Sequence, residues 1–211
     1  NKHCLDKLRI RKKSIDNGIA VVSWDISNGE WGIITGYDDS NQMLSTLKIN
    51  GESNSLHYEK LGKIDIPILS VLSVVGKKER TREEINQGML KLAASHLKSE
   101  EWSSNNKSGL EVYSFLIDFI KTKLSSEHSW NMEYYIGTYA SLKLYALKYF
   151  KKYGMKQFEE IYNIIFNEWI SAFKALKSSD LNSIIKKNEI ANHLQNAFDE
   201  EKKALELMEN L

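Results

Sequence analysis

The distribution of glycine and proline divides this chain of 211 residues into two parts. Seven of the eleven glycines and the single proline, Pro67, precede Lys78, so only four glycines fall in the 133 residues that follow Lys78. Glycine and proline interrupt regular structure and mark turns. Short strands joined by tight turns are therefore predicted for the first part, and long helices for the second.

Five apolar or β-branched segments in the first part predict an antiparallel sheet. Turn-forming pairs, among them Asn17-Gly18 and Asn50-Gly51, separate these segments. The predicted strands cover residues 19–24, 31–37, 43–49, 56–58 and 66–75, and a helix over residues 5–15 precedes them. Because proline has no amide hydrogen, Pro67 is expected at the start of its strand or on an edge.

Beyond Thr81 the apolar residues recur with a period of about 3.6, which is typical of helices. Two helix starts have the spacing of a capping box, Thr81 with Glu84 and Ser108 with Glu111. The predicted buried face of the first helix consists of Ile85, Met89, Leu92 and His96. About five helices are expected to form a bundle. The predicted fold class is α+β, with an antiparallel sheet domain over residues 1–78 and a helical domain over residues 79–211.

Composition excludes several classes of function. The formal net charge is +1, so the chain does not have the excess of Lys and Arg that nucleic-acid binding normally requires. The sequence has no apolar run of the roughly 20 residues that span a membrane, and its lone cysteine, Cys4, permits neither an internal disulfide nor a cysteine-rich zinc site. The histidines do not have the paired spacing of a metal-binding motif, and the glycines do not form a phosphate-binding loop motif. We therefore expect a cytoplasmic protein with no metal and no cofactor, and with neither nucleic acid nor membrane as a partner.

Aromatic and acidic residues are concentrated between residues 24 and 39. Aromatic walls with a few polar groups are typical of small-molecule sites. A ligand site is therefore predicted here, with the members Trp24, Glu30, Trp31, Tyr37 and Asp38. The alternative is structural: the tryptophans belong to the core and the aspartates form turns.

The same region carries a resemblance to a known family. Residues 13–24 and 30–39, which end in Gly36-Tyr37-Asp38 and Asp39, resemble the second lobe of C39-like, papain-fold domains of the butirosin biosynthesis protein H type. The second part is similar to the helical domain that follows in those proteins, over residues 109–113, 139–146 and 189–194 and onward to Glu201 and Ala204. The resemblance implies the second lobe of a papain-like fold followed by a helical bundle.

Catalysis of the papain type is not expected from these residues. Where the family places its catalytic histidine this chain has Glu30, and where it places the orienting acid the chain reads Asn50-Gly51-Glu52. A glutamate cannot replace imidazole as the base near neutral pH unless its pKa is strongly raised. The lobe that would carry the nucleophilic cysteine should precede Lys13 by many tens of residues, and we expect it to be absent here. The catalytic residues remain unknown.

Three hypotheses on function follow. In the first, a butirosin-H-like protein binds a small acyl, amino-acid or peptide ligand without peptidase activity, with Glu30 as polar anchor. In the second, the chain is a fragment of an acyltransferase or amide-processing cysteine enzyme of secondary metabolism, whose nucleophile lies outside this chain. The partner expected in either case is a small molecule or peptide, with an acyl group bound to a carrier protein as one form. In the third, the helical bundle is an oligomerisation or partner-docking module, in which the last helix covers the bundle or pairs with another copy.

Overall fold

The computed structural model describes residues 12–27, 29–63, 70–74, 76–100, 107–177 and 180–210. The chain divides into two compact units, residues 1–79 and residues 80–211. The first unit contains a short helical segment, α1, described over residues 12–16, and a five-stranded sheet. The second contains the long helices. The predicted α+β architecture, with the sheet preceding the helices, is confirmed.

The sheet is antiparallel, with the strand order β4-β3-β2-β1-β5. Its strands are β1 (Val21–Ser27), β2 (Glu30–Asp38), β3 (Met43–Leu47), β4 (Ser53–His57) and β5 (Val71–Ser73). Pro67, with the predicted strand segment before Ser70, and most of the helix predicted over residues 5–15 lie outside the described residues. Alternate residues of the strands form one small core, which contains Val21, Ile26, Ile34, Leu44 and Leu56, joined by Leu61.

A β-bulge at Asp25 shapes the end of β1. The register between β1 and β2 shifts between Ser23 and Ser27, and Asp25 has a φ of 69°. Because a bulge adds one residue to its strand, Asp25 and Ile26 are both buried although they are consecutive. Ile26 then lies over Gly32, where an added Cβ would be 2.7 Å from the Ile26 side chain. A glycine is therefore needed at position 32.

Five α-helices lie in the described part of the second unit. They are α2 (Arg82–Leu97), α3 (Glu111–Thr122), α4 (Ser129–Lys152), α5 (Lys156–Lys177) and α6 (Ile184–Glu209). Helix α5 packs between α4 and α6, and α6 also contacts α2 and α3. The predicted capping box at the first helix is confirmed, because the Glu84 amide donates to Thr81 Oγ1 (3.1 Å) and the Thr81 amide donates to Glu84 Oε2 (2.7 Å).

Two predictions about this unit are wrong. The capping box at Ser108 does not form: α3 begins at Glu111 with Leu110 as its N-cap, and no side chain caps it. The buried face of α2 consists of Leu90, Ala94 and Leu97, whereas His96 and Leu92 are exposed. Two apolar stripes run along this helix, and the packing of α2 on α6 decides which one is buried.

Candidate functional site

Three of the predicted site residues lie near the turn between β1 and β2. The rings of Trp24 and Trp31 meet edge to face with their centroids 5.5 Å apart. Trp31 is 43% exposed, and Glu30 is exposed at the start of β2. The strand register brings residues 50–52, which form the turn between β3 and β4, to the same end of the sheet. This end therefore presents an aromatic pair and a carboxylate to solvent.

The other two predicted residues lie at the opposite end of β2. Asp38 accepts hydrogen bonds from the amides of Ser40 (2.9 Å) and Asn41 (3.2 Å), and from Asn41 Nδ2 (2.7 Å). These bonds lower the pKa of Asp38, with the Asn41 side chain as the largest cause. Asp38 thus shapes the turn between β2 and β3, in agreement with the structural alternative for this residue.

Tyr37 holds α1 against the sheet. Its hydroxyl donates to Asp16 Oδ1 at 2.7 Å, and this hydrogen bond raises the pKa of Tyr37. The ammonium group of Lys12 lies over the Tyr37 ring at 5.1 Å and forms an ion pair with Asp39. A second tyrosine, Tyr58, donates to the same Asp39 at 2.8 Å. The surroundings of Tyr37 are thus occupied by contacts within the first unit.

The five predicted residues do not converge. Trp31 and Tyr37 are six residues apart in β2, and a strand advances about 3.3 Å per residue, so their backbones are roughly 20 Å apart. The structure brings together Trp24, Glu30 and Trp31 but leaves Tyr37 and Asp38 at a separate turn.

A cavity of about 260 Å³ lies within the second unit. It is bordered by the end of α2, the start of α3 and the middle parts of α4, α5 and α6. Its lining residues are His96, Leu97, Lys107, Ser108, Gly109, Val112, Tyr113, Tyr139, Lys143, Trp169 and Glu201. The cavity therefore combines aromatic and aliphatic walls with charged side chains, as expected for a small-molecule site.

Glu201 is the centre of a hydrogen-bonded network in the cavity wall. Its side chain is 1% exposed, Oε1 pairs with the ammonium group of Lys143, and Oε2 accepts from the Tyr113 hydroxyl at 2.5 Å. The indole Nε1 of Trp169 donates to the same Tyr113 oxygen at 2.7 Å. A buried charge is costly unless it is paired and hydrogen-bonded, and Lys143 and Tyr113 meet both requirements for Glu201.

The network keeps its tyrosine protonated. Burial is the largest cause, followed by the charge of Glu201, and together they raise the pKa of Tyr113 well above its ordinary value of 10.0. The same two causes raise the pKa of Tyr162, which is also buried. At neutral pH the Tyr113 hydroxyl is thus a hydrogen-bond donor to Glu201 and not a base.

Gly109 allows the loop before α3 to close one side of the cavity. The Leu110 amide donates to the Leu97 carbonyl at 2.9 Å, and Ser99 Oγ donates to the Ser108 carbonyl at 2.7 Å. Gly109 has a φ of 55°, and a Cβ there would lie 2.3 Å from the Leu97 carbonyl oxygen. The loop can approach the end of α2 this closely only with glycine at position 109.

The sequence contained one indication of this site. In α6, Glu201 continues the apolar stripe that runs through Ile190, Leu194, Ala197, Ala204 and Met208, all of which are buried. A carboxylate in an apolar stripe is a candidate for a paired buried charge. Glu201 entered the sequence analysis only through the family resemblance, and it was not predicted to bind a ligand. The same holds for Gly109, Tyr113, Tyr139 and Lys143.

Among the described residues, no group of three or more His, Cys, Asp or Glu side chains is arranged to hold a metal ion. None of the helices in the described ranges has the length and apolar character needed to cross a membrane. Cys4 and His3 lie outside the described residues.

Comparison with protein-family models yields no match, and no curated protein matches the sequence at a significant level. The resemblance to the butirosin H type therefore stays a prediction, based on the motifs quoted above.

Proposed function

We propose that this protein binds a small molecule in the cavity of its helical unit. The observation that carries the proposal is the Lys143–Glu201 ion pair, which is nearly excluded from water yet forms part of a cavity wall, beside aromatic side chains. A buried ion pair contributes little to stability, since well-packed apolar residues in its place often give an equally stable or more stable protein. Its place in the wall of a cavity supports a role in recognition.

The size of the cavity supports a small ligand. Clefts that hold drug-sized molecules measure about 300–1,000 Å³, and this cavity measures about 260 Å³. Of the three ligand classes expected from the sequence, a single acyl group or amino acid suits this volume better than a peptide of several residues. Carriage of the acyl group by a second protein remains part of the enzyme hypothesis and stays a prediction.

The hydrogen bonding and protonation of the polar groups in the cavity wall support ligand binding better than catalysis. Glu201 accepts hydrogen bonds at both carboxylate oxygens, and Tyr113 retains its proton because its pKa is raised. These groups are held in fixed positions by one another, which suits the network to hold Lys143 in place at the cavity wall. The acyltransferase hypothesis needs a nucleophilic cysteine, and none is among the described residues that line the cavity, so it stays a prediction about other residues.

The packing of the last helix argues against the form of the docking hypothesis in which this helix pairs with another copy of the chain. Its apolar residues Ile190, Leu194, Ala197 and Met208 lie in the core of the helical unit. They cover the bundle and are not presented to another chain. Self-association through another surface stays a prediction.

A pair of variants tests whether ligands occupy the cavity. In Val112→Phe the larger side chain fills space at the cavity wall, whereas Ser114→Phe adds the same ring to the exposed side of α3. Small organic acids, amines, amino acids and neutral amides are screened by thermal shift and calorimetry. We expect at least one compound to bind the wild type and Ser114→Phe, with binding at least about tenfold weaker in Val112→Phe.

Glu30→Gln distinguishes the two candidate sites. If the ligand binds in the cavity, this variant binds it as tightly as the wild type does. Loss of binding in Glu30→Gln together with normal binding in Val112→Phe would place the ligand at the β1–β2 turn and contradict the proposal.

A further inference from the structure

The charged groups of the cavity offer more donors than acceptors. Lys143 has three N–H donors, of which one is directed to Glu201, and its side chain is 16% exposed. Lys107, also in the lining, pairs with Glu111 outside it at 3.1 Å. Glu201 is the only acidic side chain among the described residues that line the cavity. Because Glu111 compensates Lys107, an anion in the cavity would find its charged donors on Lys143, at the N–H groups that Glu201 does not use.

Glu201 itself is poorly placed to contact a ligand. It is 1% exposed, one of its oxygens pairs with Lys143, and the other accepts from Tyr113. A ligand ammonium group would therefore find no accessible carboxylate in the described lining. Glu201 is better described as a positioning residue, which holds the Lys143 ammonium group at the cavity wall.

The walls beside Lys143 suit a flat apolar group. The rings of Tyr139 and Trp169 have centroids 5.4 Å apart and are tilted by 31°. Trp169 is fixed by its bond to Tyr113 and is 2% exposed, whereas Tyr139 is 37% exposed and so borders the opening. Leu97 and Val112 complete the apolar lining. An aromatic or short aliphatic tail can bury its surface against these side chains.

Taking the cavity as the binding site proposed above, we infer that its ligand is a small monocarboxylate with a planar or apolar tail. Lys143 binds the carboxylate through the donors that Glu201 leaves available, and Tyr139 and Trp169 contact the tail. The available donors of Lys143 and the buried position of Glu201 select this class over amines and zwitterionic amino acids.

Three compounds of similar size test the ligand class: phenylacetate, its neutral amide phenylacetamide, and the cation phenethylamine. Binding to the full chain is measured by calorimetry up to about 10 mM. We expect phenylacetate to bind at least about tenfold more tightly than either of the others. Equal or tighter binding of the amide or the amine would overturn the inference.

Two variants assign the preference to Lys143. Lys143→Met/Glu201→Gln removes both charges together, so that no unpaired buried charge threatens folding. We expect its affinity for phenylacetate to fall about tenfold while its affinity for phenylacetamide changes less than about threefold. Lys148→Met, on the exposed side of α4, keeps the preference. An unchanged preference in the double variant would overturn the assignment to Lys143.

The outcomes separate this inference from the proposed function. If the amide or the amine binds more tightly and Val112→Phe blocks it, the cavity is a ligand site and only the ligand class is wrong. If phenylacetate does not bind, the inference is wrong, and the wider screen with Val112→Phe decides the proposed function by itself.

Discussion

Glu201 connects residues that are far apart in the sequence. Its partners, Lys143 and Tyr113, are 58 and 88 residues away. The interrupted apolar stripe of α6 marks Glu201 as unusual, but a helical period relates only residues on the same helix. The partners could not be predicted because they depend on how α3, α4 and α6 pack.

Removal of Lys143 is expected to destabilise the helical unit. Lys143→Met leaves the buried charge of Glu201 without its cation, and loss of one partner of a buried pair costs about 3–5 kcal/mol. Lys148→Met is the matched control: it is exposed on the same helix and loses only a contact with the Tyr145 ring, worth about 0.5–1 kcal/mol. Urea unfolding measures both variants. Equal stability of the two would show that Lys143 does not compensate Glu201.

Stability should decline in alkali because of the buried tyrosines. The pKa of Tyr113 is raised on folding, so the folded state holds this proton more tightly than the unfolded state does. The stabilisation is complete below the unfolded pKa of about 10 and is lost as the pH rises beyond it.

The Tyr113→Phe variant isolates this contribution. Its free energy of unfolding should be lower by about 1–3 kcal/mol at pH 8, because Trp169 Nε1 and Glu201 lose a partner. Between about pH 9 and 11 it should decline less steeply than that of the wild type. Parallel declines in urea titrations would contradict the raised pKa of Tyr113.

For single helices, local sequence patterns predict those ends that depend only on neighbouring residues. The capping box at Thr81 formed, and Gly154, with a φ of 66°, follows the C-cap of α4, a position that favours glycine. The same spacing at Ser108 failed because the loop there is bound to the end of α2, through Leu110 and Ser99. A contact between elements overrode the local pattern.

Gly109 and Gly88 provide a matched test of that loop. In Gly109→Ala the new Cβ would meet the Leu97 carbonyl at 2.3 Å with φ at 55°, so we expect a loss of about 1–3 kcal/mol. Gly88 lies inside α2 with open space around it, and Gly88→Ala should stabilise by about 0.5–1 kcal/mol. Thermal unfolding compares the two, and a harmless Gly109→Ala would show that the loop does not need its close approach.

At the scale of the molecule, composition alone indicated two parts. The uneven distribution of glycine correctly predicted a sheet followed by helices, since turns and long helices place opposite demands on backbone freedom. It could not indicate which part contains a cavity. The ligand site was predicted in the aromatic segment of the first unit because the residues of that segment are close together in the sequence. The residues that line the cavity are dispersed over more than 100 positions, from His96 to Glu201.

Binding of a small ligand in the helical unit is tested most directly by the indole signals of protein labelled with ¹⁵N-tryptophan. Replacement of single tryptophans by phenylalanine assigns the signals, and phenylacetate is then titrated. We predict that the Trp169 signal shifts in a saturable manner while the signals of Trp24 and Trp31 stay in place, because of these three tryptophans only Trp169 borders the cavity. A shift of Trp24 and Trp31 with an unchanged Trp169 would contradict binding in the cavity and favour the β1–β2 turn.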